Sequence, residues 1–237
     1  MAEIKIGIIV ADIDEYKPFG DRVEVGSFKK YSFLGRVGHS FTVSTDKGEA
    51  EVVSVLCGIG KVNAAAAAMH LVDIGCNVIL NYGLSGGISG VLRGDICLCT
   101  SFLEHDFDLT GIGYKPCEKP SQEYIYSSDD ELNALCEDVI PFVKKGMAVT
   151  GDRFICDEEQ RLFFKNEFGA MSCDMETAAI AYVCSFSGVP FMSLRRISDD
   201  AGADAVDSYR EMNISNETLL SDYIFDIINA IINKAYE

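Results

Sequence analysis

Three short segments place acidic side chains where the chain leaves an apolar stretch. Glu15 follows the apolar run at residues 4–10, residues 174–176 (DME) open a helical stretch, and residues 198–200 (SDD) end the apolar run at 190–197. Each acid also has an ordinary structural role open to it, since strand ends often carry solvated acids and a carboxylate at a helix N-terminus gains up to about 1 kcal/mol from the dipole. If the three segments converge in the fold, they build a site with several carboxylates.

Two glycine-containing turns offer bare backbone that a ligand could approach. Residues 57–61 (CGIGK) join a predicted strand to an alanine-rich helix, but they match neither of the phosphate-binding patterns GxxxxGK[ST] and GxGxxG. A tight turn is the favoured interpretation there. Residues 81–87 (NYGLSGG) lie at the carboxyl end of an apolar strand, where open α/β sheets bind ligands. A flexible turn and a ligand contact are equally compatible with this second segment.

Two basic residues, Arg195 and Arg196, precede the last acidic segment. Neighbouring side chains in a strand point to opposite faces of the sheet. Only one of these two arginines can therefore face a site.

The hydrophobic pattern of the chain indicates strands that alternate with helices. The strand candidates are residues 4–10, 30–37, 41–45, 51–57, 78–82, 95–102, 147–150 and 190–197. The helix candidates are residues 61–74, 158–168, 176–186 and a C-terminal segment whose apolar face carries Leu220, Ile224, Ile227, Ile228, Ile231 and Ile232. This alternation predicts an α/β fold. Because residues 22–51 resemble consecutive strands, the sheet is predicted to be mixed.

Charge and hydropathy restrict the partners of the protein. The 237 residues carry a formal net charge of −17, which disfavours binding to nucleic acid and to anionic membrane surfaces and leaves a small neutral or cationic ligand open. The sequence contains neither an apolar run long enough to span a membrane nor a secretory leader, so we expect a cytoplasmic protein.

The cysteine and histidine content predicts no metal site. The nine cysteines form no CxxC pair and several lie in apolar runs, so buried free thiols in a reducing compartment are favoured over disulfides or zinc. Three histidines are too few for a histidine-rich site. No cofactor and no metal are predicted.

The motifs also occur in an order that resembles a known enzyme superfamily. The series comprises Glu15, the two glycine turns, and residues 5–9 (KIGII), 94–96 (GDI), 105–108 (HDFD), 151–155 (GDRFI), 174–179 (DMETAA) and 195–199 (RRISD). It is similar to the nucleoside phosphorylases and nucleosidases over nearly the whole chain, and most similar to the 5′-methylthioadenosine/S-adenosylhomocysteine nucleosidases. The resemblance implies a single domain over residues 1–237, built as a three-layer α/β sandwich with a central mixed β-sheet flanked by helices.

The resemblance also implies hydrolysis of the N-glycosidic bond of a 5′-modified adenine nucleoside, as in methionine salvage. Asp199, held by Ser198, would donate a proton to the purine N7, and Glu15 would act as the general base on the attacking water. Glu176 would accept hydrogen bonds from the ribose hydroxyls, and its charge would favour the cationic transition state. Arg195 matches the family's arginine near the nucleophilic water.

By the same resemblance, further residues would bind the substrate. Phe154 would stack near adenine, Ile155 would offer it backbone hydrogen bonds, and Met175 would lie under the ribose. Tyr209 would close over the 5′ substituent. Leu109, Ile112 and Tyr114 correspond to the apolar wall of the 5′ pocket, which in the family homodimer is partly supplied by the neighbouring subunit.

Three residues depart from the family pattern. Leu84 occupies a position where a small serine is usual, which leaves Ser85 and Gly86 as the neighbouring candidates for contact with water or substrate. Asp174 stands where glutamate is usual, and Arg153 where a small residue is common.

Two alternatives to a nucleosidase remain open. A phosphorylase of the same fold would need concentrated positive charge for phosphate. Residues 10–18 (VADIDEYKP) and 80–87 (LNYGLSGG) contain no arginine, which favours water as the nucleophile. A catalytically inactive nucleoside-binding protein would lose the acids, and Glu15, Glu176 and Asp199 are all present.

Overall fold

A mixed β-sheet organises the fold in this computed structural model, which describes residues 4–202, 204–214 and 219–236. Within those ranges the sheet has ten strands: β1 (Lys5–Val10), β2 (Phe28–Phe33), β3 (Arg36–Ser44), β4 (Glu49–Leu56), β5 (Val78–Gly87), β6 (Ile96–Glu104), β7 (Ile125–Ser127), β8 (Lys144–Thr150), β9 (Ser172–Asp174) and β10 (Phe191–Asp199). The strand order is β10-β6-β8-β9-β5-β1-β4-β3-β2, and β7 pairs with β6. Parallel and antiparallel pairs both occur, which confirms the prediction of a mixed sheet.

Two features of the topology determine where a site can form. Strand β10 pairs with β5 as well as with β6, so β5, β10, β6, β8 and β9 close into a ring. Strands β1, β4, β5 and β10 are mutually parallel neighbours, so their carboxyl ends meet at one edge of the sheet. Ligands of α/β proteins bind at such an edge.

Helices cover both faces of the sheet. They are α1 (Ile13–Glu24), α2 (Lys61–Asp73), α3 (Asp130–Val139), α4 (Glu158–Phe168), α5 (Thr177–Ser187), α6 (Ala205–Ile214) and α7 (Leu219–Ala235). Helices α2 and α5 bury alanine-rich faces with one layer of strand side chains. Helices α1, α3 and α7 bury larger apolar side chains with the opposite layer. The three-layer α/β arrangement confirms the predicted fold class.

Most of the predicted elements are present. Helices α2, α4 and α5 match the predicted bounds to within two residues. The six apolar residues predicted to form the buried face of the C-terminal helix are all buried on α7. The elements that the hydrophobic pattern did not predict are α1, α3, α6, β7 and β9.

The predicted strand over residues 30–37 is wrong. A two-residue turn at Leu34 and Gly35, both at positive φ, divides this segment between β2 and β3, and Phe33 pairs with Arg36 across the turn. This is the tight hairpin geometry that matches the twist of its strands. Glycine adopts positive φ readily, but leucine seldom does, so the Leu34-Gly35 pair is a weak signal in the sequence.

The cysteines agree with the expectation of buried free thiols. All nine cysteines are free, and every one except Cys156 is buried. Over the described ranges, no group of His, Cys, Asp and Glu side chains is arranged to hold a metal ion. Among the helices of the same ranges, none combines the length and the apolar character that crossing a membrane requires.

Candidate active site

A cavity of about 190 Å³ opens where the carboxyl ends of β1, β5 and β10 meet. The three acidic segments do converge there, as the sequence allowed. The cavity is lined by Ala11, Asp12, Glu15, Ile59, Leu84, Ser85, Gly86, Phe154, Cys173, Asp174, Met175, Glu176, Arg195, Ser198, Asp199 and Tyr209. A smaller adjoining cavity shares the Asp199 end and adds Arg153 and Ile155.

Glu15 reaches the cavity from the first turn of α1. Asp12 caps this helix, since its side chain accepts the amide of Asp14 at 2.8 Å. Glu15 Oε1 accepts the amide of Leu84 at 3.0 Å. Burial raises the pKa of Glu15 to about 8, against the opposing effects of the Leu84 amide and the Arg195 guanidinium. Glu15 is therefore a carboxyl group with strongly increased basicity.

Buried hydrogen bonds anchor α1 directly beside Glu15. The hydroxyl of Tyr16 lies 2.7 Å from His39 Nδ1 on β3 and 2.7 Å from Ser54 Oγ on β4. The imidazole of His39 also stacks on the Tyr16 ring. These contacts fix the rotation of the helix that presents Glu15.

At the start of α5, the carboxylates of Asp174 and Glu176 have different roles. Asp174 Oδ1 accepts the amides of Glu176 and Thr177, at 3.1 and 3.0 Å, so it is Asp174 that caps the helix. Glu176 instead turns its side chain into the cavity, where Oε1 accepts the amide of Gly60 at 2.9 Å. Burial raises the pKa of Glu176 to about 7, although Arg195 opposes this shift. The helix-capping role that the sequence left open for this segment therefore belongs to Asp174.

Arg195 is the cation at the centre of these acids, and its side chain is almost completely buried. Its Nη2 lies 3.2 Å from Asp174 Oδ2 and donates to Asn81 Oδ1 at 2.7 Å and to the hydroxyl of Thr177. Its Nη1 donates to the carbonyl of Leu84 at 3.4 Å. The neighbouring Arg196 does not line the cavity, as the alternation of strand side chains requires.

Gly83 makes room for this cluster. A Cβ atom at position 83 would lie 2.6 Å from Arg195 Nη1 and 2.6 Å from Glu15 Oε2. No side chain fits there without displacing one of the two charged groups. Residues 81–87 are therefore not the turn that the sequence predicted: they continue β5 to Gly87, and Gly83 allows the site to pack closely.

Asp199 ends β10 at an irregularity in the β5–β10 register. Its Oδ2 lies 2.6 Å from Ser198 Oγ, and its Oδ1 accepts the amide of Ala201 at 2.8 Å. Ser198 Oγ also lies 3.2 Å from the carbonyl of Ser85. Burial raises the pKa of Asp199 above its usual range, while the two hydrogen bonds lower it.

Aromatic and sulfur side chains form the remaining wall. Phe154 contacts Tyr209 of α6 edge-to-face, with ring centroids 5.6 Å apart. Met175 borders both cavities, and Ile155 borders the smaller one. Together they provide an apolar slot that adjoins the carboxyl of Asp199.

Leu109, predicted to contact the substrate, does not line either cavity of this chain, and neither do Ile112 and Tyr114. They lie around a short 3₁₀ helix, Thr110–Ile112, where Ile112 and Tyr114 are exposed. Their assignment to a wall supplied by a second subunit stays a prediction.

The sequence did not identify several residues of the site. Asp12, Ala11 and Ile59 line the cavity, while Asn81 and Thr177 hold Arg195. A signal existed for Asn81, because an amide side chain in an otherwise apolar strand needs a buried hydrogen-bond partner.

Comparison with known proteins gives a consistent family. The chain is 38% identical over 172 residues to the 5′-methylthioadenosine/S-adenosylhomocysteine nucleosidase of an Exiguobacterium strain, covering 69% of this chain and 74% of the relative. It is 29% identical over 227 residues to the aminodeoxyfutalosine nucleosidase of Campylobacter jejuni, covering 93% and 96% of the two chains.

Solved structures resemble the whole fold. The 5′-methylthioadenosine/S-adenosylhomocysteine nucleosidase of Helicobacter pylori in complex with butyl-thio-DADMe-Immucillin-A superposes with a TM-score of 0.89 at 26% identity, covering 97% of this chain and 99% of the other. The native futalosine hydrolase of the same species superposes with a TM-score of 0.87 at 27% identity, covering 95% and 97%. The family model described as the phosphorylase superfamily matches residues 5–233, and the chain belongs to that superfamily.

Proposed function

We propose that the protein hydrolyses the N-glycosidic bond of a 5′-modified adenine nucleoside and releases adenine. The observation that carries this proposal is the convergence of Glu15, Glu176 and Asp199, all with raised pKa values, on one cavity around Arg195. Hydrolysis of this bond needs a proton donor for the leaving base, a base for water and negative charge near the ribose.

Asp199 is the proposed general acid. Ser198 Oγ carries one proton but has two acceptors within reach, Asp199 Oδ2 and the carbonyl of Ser85. Both contacts are satisfied at once when Asp199 is protonated and donates to Ser198, which then donates to Ser85. The raised pKa of Asp199 supports the same state. A stored proton at this position would be delivered to the purine as the bond breaks.

Glu15 is the proposed base for the attacking water. Its pKa of about 8 makes its ionised form a stronger proton acceptor than an ordinary carboxylate. Leu84 has no polar side chain, and its hydrogen bonds in this region are made by its amide and its carbonyl. Ser85 carries a buried hydroxyl without a hydrogen-bond partner and lines the same cavity, which makes it the neighbouring candidate for contact with water.

Glu176 is proposed to bind the ribose hydroxyls and to stabilise positive charge on the sugar. Its carboxyl keeps one oxygen on the Gly60 amide, so the group is held in place while it faces the cavity. In the ionised form, it favours an oxocarbenium-like transition state more than the neutral substrate. Phe154, Ile155 and Met175 are proposed to hold adenine and the ribose, with Tyr209 over the 5′ substituent.

Water is favoured over phosphate as the nucleophile by the charge of the cavity. Among the described residues, Arg195 is the one cation that lines the larger cavity, and Asp174, Asn81 and Thr177 already bind its guanidinium. A phosphate dianion would meet four further carboxyl groups there, those of Asp12, Glu15, Glu176 and Asp199. A phosphorylase reaction of the same fold is the second candidate, and phosphate dependence distinguishes the two.

The 5′ substituent is proposed to be methylthio or homocysteinyl. The relative in Exiguobacterium is named for both of these substrates, whereas the relative in Campylobacter jejuni is named for aminodeoxyfutalosine. The Exiguobacterium relative has the higher sequence identity, over a shorter aligned region. The Campylobacter jejuni relative is aligned over more of both chains. A panel of these three nucleosides tests the assignment.

A homodimer is proposed as the functional unit. Helices α2 and α5 pack side by side and leave Val62 and Phe186 exposed, next to a groove lined in part by Phe107 and Tyr182. Burial of this apolar surface would stabilise a pair of subunits. Light scattering of an active monomer would contradict this assembly.

The proposed reaction is tested by measuring adenine release from 5′-methylthioadenosine by chromatography, with and without inorganic phosphate. We expect equal rates, free 5-methylthioribose as the second product, and loss of activity in Glu176→Gln. The matched control is Asp14→Asn, an exposed acid that does not line the cavity. A phosphate requirement with formation of a ribose 1-phosphate would contradict hydrolysis, and binding without turnover would indicate an inactive nucleoside-binding protein.

A further inference from the structure

We propose that Asp12 makes this cavity select against 5′ substituents that carry a carboxylate. Of the two substituents proposed above, methylthio is then preferred over homocysteinyl, which ends in a carboxylate, and neutral and cationic 5′ groups are the preferred substrate class. This inference rests on the proposed function, because it assigns the remaining part of the same cavity. It concerns a residue that the sequence analysis did not single out as part of the site.

The location of Asp12 follows from how the two cavities overlap. Asp199 and Phe154 border both cavities, and this shared end is where a base would meet the proposed acid. Asp12 borders only the larger cavity, as do Glu176 and Tyr209, the residue proposed to lie over the 5′ substituent. A nucleoside placed with its base at Asp199 therefore extends its 5′ group toward the part of the cavity that Asp12 borders.

The charges around that part are unbalanced. Asp12, Glu15 and Glu176 line the larger cavity together with the Asp174–Arg195 pair. In the described part of the chain, no lysine or second arginine lines it. Arg195 is buried against Asp174, so it is not placed to neutralise an anion at the 5′ end. A carboxylate on the substrate would lose water here without gaining a cation.

The N-terminus of α1 does not supply the missing positive charge. A helix N-terminus ordinarily attracts anions through its amide groups and its dipole. In this chain Asp12 already accepts the amide of Asp14 with its side chain, at 2.8 Å, and the amide of Tyr16 with its carbonyl, at 3.0 Å. The anion at this helix end is therefore the protein's own carboxylate, and it repels a second one.

The test uses three adenine nucleosides of equal 5′ chain length: 5′-propylthioadenosine and its analogues that end in a carboxylate or an ammonium group. We expect kcat/KM of the wild-type protein to be highest for the ammonium and propyl compounds and lowest for the carboxylate. Asp12→Asn keeps the helix cap, since asparagine caps as well as aspartate does. This change is expected to raise the carboxylate-to-propyl ratio of kcat/KM by roughly three- to tenfold, the range for removing one charge at short distance in a partly solvated site.

Asp14→Asn is the matched control, because Asp14 lies on the same helix end but is exposed and outside the cavity. It is expected to change the ratio less than Asp12→Asn does, and added salt should weaken the Asp12 effect. Equal kcat/KM for the carboxylate and propyl compounds in the wild-type protein, or an unchanged ratio in Asp12→Asn, would overturn the proposal.

Failure of the proposed reaction remains distinguishable from failure of this inference. If none of the three compounds releases adenine, the hydrolase assignment is wrong. The affinities of the same compounds, measured by titration calorimetry, then test whether Asp12 disfavours a 5′ carboxylate. Weaker binding of the carboxylate that is relieved in Asp12→Asn supports the inference, and equal affinities refute it.

Discussion

Replacing Glu15 by glutamine is expected to stabilise the protein, and to do so increasingly as the pH rises from about 5 to about 9. Burial raises the pKa of Glu15 from its ordinary value of 4.5 to about 8. A carboxyl group with a raised pKa favours the folded state at low pH, and this contribution is lost as the pH rises through the folded value. Glutamine does not titrate, so the variant escapes that loss.

The magnitude follows from the size of the pKa change. Since each pH unit corresponds to about 1.36 kcal/mol, a change from 4.5 to about 8 sets a ceiling of roughly 5 kcal/mol. Glu15 borders a cavity that is open on one side and lies near Arg195, both of which reduce the penalty for its ionised form. We therefore expect a gain of about 1–3 kcal/mol at the alkaline end and a much smaller one near pH 5.

The assay is urea denaturation of the wild-type protein and Glu15→Gln at both pH values and at one protein concentration, because association would change the apparent stability. Asp14→Asn, the exposed neighbour, is the control and should show little of this pH dependence. A Glu15→Gln variant that is less stable than the wild type at pH 9, or equally altered at both pH values, would refute the assignment of a raised pKa to Glu15.

Three further substitutions test how the site is held together. Arg195→Met leaves Asp174 buried without its cation and is expected to destabilise the protein by about 3–5 kcal/mol, measured by urea denaturation; a change below about 1 kcal/mol would contradict it. Gly83→Ala introduces a Cβ atom 2.6 Å from both Arg195 Nη1 and Glu15 Oε2 and should cost about 1–3 kcal/mol together with most of kcat; wild-type turnover would show that the cluster tolerates displacement. Tyr16→Phe removes the hydroxyl that bonds to His39 on β3 and Ser54 on β4, and it should lower the stability by about 1–3 kcal/mol in the same assay. Because these bonds fix the helix that presents Glu15, kcat should fall more than KM rises. Unchanged kinetics would show that they do not position Glu15.

Much of the site could be predicted from the sequence because parallel strands bring their carboxyl ends to one edge. Glu15 and residues 198–199 converge for this reason, whereas residues 174–176 reach the same cavity from β9, which runs antiparallel to β5. The family resemblance assigned Glu176 to the ribose, but the residue pattern alone could not separate the two acids of the 174–176 segment. Capping of α5 by Asp174 and the inward turn of Glu176 depend on contacts with Gly60 and Arg195. These partners lie far away in the chain, so local pattern carries no information about them.

The helix that presents Glu15 was not predicted, although part of its signal was present. Asp12 is a favourable N-cap, and acids follow it in the first turn. Pro18 and Gly20 lie within α1 and weaken the helical pattern, and only its packing on the sheet through Tyr16 and neighbouring aromatic residues compensates for them. The hairpin at Leu34 was missed for a related reason, because tertiary pairing imposes a backbone conformation that leucine rarely adopts.

The most direct test of the proposed mechanism compares the effect of Asp199→Asn on two kinds of leaving group. If Asp199 protonates the base, kcat for an adenine nucleoside should fall by roughly 10²-fold or more, while stability changes little. A nitrophenyl riboside, whose leaving group departs without protonation, should be far less affected by the same change. A much larger loss on the adenine nucleoside is the predicted result. Equal losses on both substrates would mean that Asp199 acts through binding or folding, and would contradict general acid catalysis at this residue.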